Sequence, residues 1–346
     1  TIGSSAFYGC TALTGITLPS SLEKIGQNAF RGCNGMTGGL LIPGTVASIG
    51  ESAFYNCSGL NGKLVIENGV KTIGANAFYG CNKLTGDLII PDSVTAVYDW
   101  AFEYCSGFDG KIELSQNLTY LGRYAFWYCT RVNGELVIPD KLTELNYGVF
   151  SKMEGITSIT VGEGVTSIYT DSSSGSFSGM TGVKEITFTG MAVPTLKESY
   201  SPFKDMTKLE TVYVPAGAYD AYASAYKSYL PSGARIKSIG ATSDFQIDDG
   251  VLTAYFGDGG EVAIPDEVTE IGTSAFQNCT TLTKVTMNDN VTKINAYAFK
   301  GCTGLAEITL SSKITEIGEH AFNGCAALKE IVLPETLKTI VSSAFY

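Results

Sequence analysis

The phrase "IGSSAFYGC" occupies residues 2–10, and close copies of it return along the whole chain. Clear copies are "IGQNAFRGC" (25–33), "IGESAFYNC" (49–57), "IGANAFYGC" (73–81), "IGTSAFQNC" (271–279) and "IGEHAFNGC" (317–325). A phrase that recurs every 20–50 residues is typical of repeat solenoids, in which each repeat adds one layer to a continuous core. The fold class follows from this repeat.

The phenylalanine of the phrase marks the register of the repeat. Most steps between these phenylalanines are 23 or 24 residues, with longer steps of 27 and 26 towards the end of a first array. The marks are Phe7, Phe30, Phe54, Phe78, Phe102, Phe126, Phe150, Phe177 and Phe203, then Phe276, Phe299, Phe322 and Phe345. A unit of this size cannot bury its own apolar face, but stacked neighbours can.

Between the marks lies a second apolar signature, such as "LVIPDKLTEL" (136–145). It consists of a short alternating stretch, a turn that often contains proline, and a second alternating stretch that leads into the next phrase. Alternation of apolar and polar residues is typical of strands with one buried face. We therefore predict a mainly β solenoid with short parallel strands.

All nine cysteines share one position, three residues after the phenylalanine. Methionine takes that position at Met153, Met180 and Met206. Zinc needs ligands that converge on one point, whereas these cysteines lie one to a turn. Stacked side chains also stay too far apart for disulfide bonds. We interpret the cysteines as buried free thiols that pack as small apolar groups.

The combination "LP…L..IG..AF..C..L..I.LP" resembles the BspA-type leucine-rich repeats of bacterial surface proteins. It covers nearly the whole chain and departs from the pattern mainly over residues 146–210. The resemblance implies a right-handed leucine-rich-repeat solenoid and a protein that is exported, attached to the cell surface and involved in adhesion. The implied partners are proteins or glycans on host or neighbouring cells. An export signal or anchor is expected outside this sequence.

Composition excludes some classes of partner. The net charge is −11, whereas nucleic acids and anionic lipid surfaces require clustered lysine and arginine. No apolar run approaches the roughly 20 residues that a membrane-spanning helix needs. We therefore expect no nucleic-acid partner and no membrane insertion of this chain.

Two stacked arrays are predicted, with a helical cap between them. Residues 1–240 form the first array, of about nine repeats, and tyrosines at helical spacing predict its helical cap near 216–230. Residues 236–243 are predicted to be a linker. Residues 241–346 begin with a β-hairpin cap over 244–265 and continue as a second array of about four repeats, the last one truncated.

No pattern of catalytic or metal-binding residues is found. His320, the single histidine, stands at a turn position that other repeats fill with Ser or Asn, so it lacks the features of a general base. Asp248, Asp249 and Asp258 lack the spacing of a calcium loop and suit Asp-Gly turns. We expect a non-enzymatic protein without cofactor or metal.

Two surfaces are candidates for ligand binding. The first is an aromatic patch in repeats five and six, where both tryptophans of the chain occur: Tyr98, Trp100, Tyr104, Tyr120, Tyr124, Trp127 and Tyr128. Aromatic side chains at turn positions suit the binding of a glycan or protein. The alternative is that these rings pack on one another and stiffen the edge of the solenoid.

The second candidate is a strand row, the outward residues of successive strands on the predicted concave face: Leu41, Val65, Ile89, Glu113 and Val137. Solenoids often bind partners on this face. The alternative is that β-branched residues are there because they favour the sheet. The sequence thus favours a cell-surface binding or adhesion protein, with a structural spacer that displays another domain as the alternative.

Overall fold

Each turn of the chain contains two short strands, followed by one copy of the phrase. In the first strand the outer two residues point inward and the middle one outward, so Leu40 and Ile42 are buried and Leu41 is exposed. The second strand, Ser48–Ile49, buries its isoleucine immediately before the phrase. Alternation along a strand places successive side chains on opposite faces, as the sequence pattern requires.

The computed structural model describes residues 1–170, 175–239 and 244–346. It is a mainly β parallel solenoid of about 13 turns with one short helix, which confirms the predicted fold class. The contacts divide the chain into two units, Thr1–Ile239 and Gly240–Tyr346. No helix of the described residues is long and apolar enough to cross a membrane.

The first unit contains 17 strands, and all its strand pairs are parallel. They are β1 (Lys24–Ile25), β2 (Leu40–Ile42), β3 (Ser48–Ile49), β4 (Leu64–Ile66), β5 (Thr72–Ile73), β6 (Leu88–Ile89), β7 (Ala96–Val97), β8 (Ile112–Glu113), β9 (Tyr120–Leu121), β10 (Asn133–Ile138), β11 (Glu144–Leu145), β12 (Gly155–Val161), β13 (Ser167–Ile168), β14 (Glu185–Phe188), β15 (Thr195–Leu196), β16 (Thr211–Val214) and β17 (Arg235–Ser238). Strands alternate between two rows, so β1, β3, β5, β7 and β9 form one sheet, while β10, β12, β14, β16 and β17 form another.

The helix α1 (Tyr219–Tyr226) lies between β16 and β17, with 3₁₀ turns on both sides at Ala216–Ala218 and Lys227–Tyr229. Its Tyr222 and Tyr226 are fully buried, and both hydroxyls donate to main-chain oxygens of the preceding turns. The linker predicted over 236–243 is wrong in its first residues, because β17 pairs with β16 and buries Ile236. Linker residues 240–243 lie outside the described residues. The predicted boundary between the two arrays, at residues 240 and 241, falls among them.

The second unit begins with an antiparallel pair and continues as a parallel array. Its strands are β18 (Phe245–Asp248), β19 (Val251–Tyr255), β20 (Gly260–Ala263), β21 (Glu270–Ile271), β22 (Leu282–Thr286), β23 (Lys293–Ile294), β24 (Glu307–Thr309), β25 (Glu316–Ile317) and β26 (Thr339–Ile340). The β18–β19 hairpin turns at Asp249 and Gly250, both at positive φ. β19 then pairs in parallel with β21 and so joins the hairpin to the array, whereas β20 pairs with β22.

Stacked phenylalanines form the centre of each array. Between Phe7 and Phe177, neighbouring ring centroids are 4.9–6.2 Å apart and the planes differ by at most 10°. The phenylalanines from Phe30 to Phe177 are fully buried. Each buried ring of this kind contributes roughly 1.5–3 kcal/mol by transfer from water.

Main-chain hydrogen bonds explain the conformation of the phrase. Successive N–H groups alternate in direction: Phe54 N–H donates to the next turn at Ala77, while Tyr55 N–H donates back to Ser52. In most copies of the phrase, two residues take the left-handed conformation, one two positions before and one two positions after the phenylalanine, with φ of 52° at Ser52 and 54° at Asn56. Ser, Asn and Gly tolerate this conformation best, which explains their frequency at these two positions.

Candidate partner-binding surfaces

Four aromatic residues of the predicted patch occupy left-handed backbone positions. The φ angles are 58° at Trp100, 58° at Tyr104, 54° at Tyr124 and 59° at Tyr128. A residue with a Cβ pays roughly 1–2 kcal/mol for this conformation, and bulky residues are rare there. Strain of this kind persists where the surrounding structure or a function maintains it.

Four of the patch residues form one cluster of rings. Tyr104 lies 5.3 Å from Trp127 and 5.2 Å from Tyr128, measured between ring centroids. Trp127 also contacts Tyr124 at 5.5 Å and Tyr128 at 4.8 Å, both edge-on. Mutual packing, the alternative interpretation of the patch, therefore accounts for part of it.

The other three patch residues lie outside that cluster. Tyr98 contacts Tyr120 at 5.3 Å, and both are more than two-fifths exposed. Trp100 is 37% exposed and has no ring contact within the described part of the chain. Packing between aromatic rings therefore gives no reason for a tryptophan at this strained position.

The strand row is a line of exposed side chains on paired strands. Leu41 of β2 stands beside Val65 of β4, and Ile89 of β6 stands beside Glu113 of β8. The four apolar members are Leu41, Val65, Ile89 and Val137 of β10, and each is 40–47% exposed. Exposed apolar side chains that lie in register differ from the single apolar residues scattered over most protein surfaces.

A shallow groove of about 380 Å³ lies along this row. Its walls include Ile89, Glu113 and Val137 of the row, with Asp92 and Gln116 at the following turns. Glu113 forms an ion pair of 2.5 Å with Lys111, which directly precedes β8. The groove is thus lined by both apolar and polar side chains.

The cysteine column has a hydrogen-bonding role that the sequence interpretation missed. Each buried thiol donates to the main-chain oxygen of the phenylalanine one turn earlier, as from Cys57 to Phe30 at 3.1 Å. None of the nine cysteines is in a disulfide bond, and six are buried, whereas Cys10 is exposed and Cys279 and Cys325 are half-buried. The interpretation as purely apolar groups is therefore incomplete, because the S–H also satisfies a buried carbonyl.

No group of three or more metal-ligating side chains occurs within residues 1–170, 175–239 and 244–346. His320 stacks on Tyr297 at 5.4 Å and lies 3.7 Å from the carboxylate of Glu319. A general base would need a nucleophile or substrate group within hydrogen-bond reach. The contacts of His320 are therefore with Tyr297, Glu319 and the side-chain amide of Asn323, which lies 3.4 Å from its Nδ1.

Glu103 is a further residue that sequence reasoning missed. It is one residue beyond the phenylalanine of its repeat, next to Tyr104, and it is only 5% exposed. Burial raises the pKa of its carboxyl to about 7. Alignment of the repeats on their phenylalanines marks Glu103 as an exception, since Tyr55, Tyr79 and Trp127 hold the same position in other turns, but it does not indicate that the carboxyl is buried.

The model of the BspA-type leucine-rich repeat region matches residues 1–109, 47–174, 110–230 and 258–346. The chain belongs to this family. The BspA-type match therefore reaches both units and includes all of residues 146–210, where the pattern departs from the consensus.

Several solved structures are similar to this BspA-type chain. A leucine-rich cell surface protein from Faecalibacterium prausnitzii is 22% identical, with 96% of this chain and 77% of that chain covered and a TM-score of 0.33. A leucine-rich-repeat protein from Bacteroides ovatus is 23% identical, with coverage of 95% and 75% and a TM-score of 0.42. A leucine-rich-repeat protein from T. pallidum is 20% identical, with coverage of 57% and 86% and a TM-score of 0.41. No curated protein matches the chain.

Proposed function

We propose that this chain is a non-enzymatic, cell-surface binding module and that its strand row contacts a protein partner. The observation that carries the proposal is the exposed apolar line formed by Leu41, Val65, Ile89 and Val137. Their strands are held by a rigid core, so the row is pre-organised and loses little conformational freedom on binding. Membership of the BspA-type family supports a role in protein interaction or at the cell surface.

The aromatic patch offers a second surface for the same function. Tyr98, Trp100, Tyr104 and Tyr120 are each at least 37% exposed. Tyrosine and tryptophan are enriched at the centres of interfaces because they bury a large area with few rotatable bonds. Adhesion to host or neighbouring cells would follow from either surface through many weak contacts.

Binding of the purified chain to immobilised extracellular-matrix proteins and to intact cells tests this function. Val65→Lys with Ile89→Lys places two charges in the apolar row, and we expect affinity for the bound partner to fall at least tenfold. Thr160→Lys with Thr187→Lys is the matched control, because these side chains lie on the paired strands β12 and β14, outside the five residues of the strand row. We expect it to bind within twofold of the wild type.

Two results would count against the proposal. Equal binding by the wild type and the Val65/Ile89 variant would remove the strand row as the contact surface. A well-folded wild type that binds nothing in the screen would favour the structural spacer, whose only task is to display another domain.

A further inference from the structure

A column of side chains runs along the first unit, one residue after each phenylalanine of the repeat. Its members from the first to the sixth turn are Tyr8, Arg31, Tyr55, Tyr79, Glu103 and Trp127. The rings of Tyr55 and Tyr79 stack 4.6 Å apart and within 3° of parallel. The guanidinium of Arg31 lies over the face of Tyr55, 4.2 Å from the ring centroid. The column thus already contains one cation held by an aromatic face.

Glu103 interrupts the rings of this column, and its neighbour Tyr104 fills the gap. The Tyr104 ring lies 5.7 Å from Tyr79 on one side and 5.3 Å from Trp127 on the other. This placement depends on the left-handed conformation of Tyr104, where φ is 58°. The aromatic contacts therefore continue past Glu103, whose carboxyl lies close enough to Tyr79 and Tyr104 for its charge to help raise the pKa of both hydroxyls.

The carboxyl of Glu103 has neither a hydrogen bond nor an ion pair within the described part of the chain. Burial of an unpaired carboxylate is costly, and this cost raises its pKa to about 7. No fully buried side-chain oxygen among the described residues lacks a partner, so the Glu103 oxygens still reach solvent. An almost buried acid without a partner in the described residues thus lies beside aromatic side chains and keeps access to solvent.

We propose that Glu103, with the rings of Tyr79, Tyr104 and Trp127, binds one cationic side chain of a protein partner. The ligand group is a lysine ammonium or an arginine guanidinium. Aromatic faces attract such cations through the ring quadrupole, and a carboxylate adds a charge-assisted hydrogen bond. The site adds a ligand chemistry to the proposed binding function, on which it rests.

The charges around Glu103 favour an external cation. The titratable groups that it influences are Tyr79, Tyr104 and Cys129, and burial raises the pKa of each, so all three are neutral at pH 7. Lys111, the basic residue nearest to Glu103 along the chain, is already paired with Glu113, and Arg123 lies over the ring of Tyr147. A net charge of −11 also favours the approach of a basic partner.

Tryptophan fluorescence tests the site without knowledge of the partner. The chain has two tryptophans, so Trp100→Phe leaves Trp127 as the single reporter inside the proposed site. The probes are N-acetyl-arginine amide and N-acetyl-lysine amide, with N-acetyl-norleucine amide as the uncharged control. Titration at pH 8 and constant ionic strength gives their affinities, and the two cationic probes distinguish guanidinium from ammonium.

We expect saturable binding of at least one cationic probe and at least tenfold weaker binding after Glu103→Gln. Binding should also weaken below pH 7, as Glu103 becomes protonated. Glu154→Gln is the control for loss of an exposed acid elsewhere, and Glu103→Ser repeats the test with the residue found at this position in later turns, such as Ser151. Circular dichroism checks that every variant is folded.

Three outcomes would overturn the cation site. These are the absence of a saturable response to either cationic probe, equal binding by the norleucine amide, and unchanged affinity in both Glu103 variants. Since the probes are single amino-acid amides, these outcomes are independent of whether the strand row binds a partner. Failure of the macromolecular screen alone would instead count against the proposed function.

Discussion

The Sγ atom of Cys81 donates a hydrogen bond of 3.1 Å to the main-chain oxygen of Phe54 in the preceding turn. The same oxygen also accepts a hydrogen bond from the N–H of Cys57. The main-chain oxygen of Phe54 therefore accepts two hydrogen bonds, one for each of its lone pairs. Equivalent thiol hydrogen bonds occur in both units, for example from Cys302 to Phe276 at 2.9 Å. The cysteine column therefore links neighbouring turns as well as filling space between them.

Thiol reactivity should follow the depth of each cysteine. Burial raises the pKa of Cys81 to about 12, so almost no thiolate forms there at pH 8. In a colorimetric thiol assay of native protein, we expect Cys10 to react quickly, Cys279 and Cys325 slowly, and the six buried cysteines not at all. Denatured protein should show all nine. Rapid reaction of all nine in the native state would contradict the buried column.

Truncation of one stacked phenylalanine should destabilise the first unit strongly. Phe78 is fully buried between Phe54 at 5.4 Å and Phe102 at 5.1 Å. We expect Phe78→Ala to lower the free energy of unfolding by about 3–5 kcal/mol, measured by denaturant unfolding. Tyr8→Ala, at a 59% exposed position, is the control and should change it by less than about 0.5 kcal/mol. If both substitutions changed the free energy of unfolding by a similarly small amount, the stacked phenylalanines would not be the core of the first unit.

Glu103 should make the stability of the protein depend on pH. Its pKa is raised from 4.5 to about 7 in the folded state, so the folded chain retains a proton that the unfolded chain has lost between these values. The free energy of unfolding should therefore fall by about 1–3 kcal/mol as pH rises from 4.5 to 7, and then level off. Thermal melts across this range should show a weaker decline for Glu103→Gln than for Glu154→Gln. An equal decline in both variants would exclude Glu103 as the source.

Replacement of Trp100 by asparagine tests whether the Trp100 side chain stabilises the fold or only strains the backbone at its left-handed position. Other turns place Asn28 and Asn76 at the same left-handed position, each with φ of 56°. Because Trp100 is exposed and lacks ring contacts in the described residues, we expect Trp100→Asn to leave stability unchanged or raise it by up to about 1 kcal/mol. Tyr104→Gly should instead lower stability, since it removes three ring contacts. A loss above about 1 kcal/mol in Trp100→Asn would show that Trp100 supports the fold.

The repeat register could be predicted from the sequence because it depends on local spacing alone. The phenylalanine marks, the alternation in strands such as Leu40–Ile42 and the parallel stacking all follow from residues within one repeat. β17 could not be predicted in this way. Its partner β16 lies on the other side of a helix, and its short alternation of Arg235, Ile236 and Lys237 becomes a strand only through that distant pairing.

The site residues show the same limit. The positions of the aromatic patch and the strand row follow from the repeat, but the contacts between patch residues do not. Glu103 is buried, and the ring of its neighbour Tyr104 contacts Tyr79 and Trp127 of the adjacent turns, a placement that depends on tertiary packing. A charged residue at a turn position gives no indication in the sequence that it is buried, since most turn residues are solvated.

Hydroxyl-radical footprinting of the chain, free and bound to a partner found in the matrix and cell screen, tests the central claim most directly. The account predicts that oxidation of Leu41, Val65, Ile89 and Val137 falls on binding, while that of the exposed Tyr346 stays unchanged. Oxidation of the four row residues at the same rate in the free and bound states would contradict the assignment of the strand row as the binding surface.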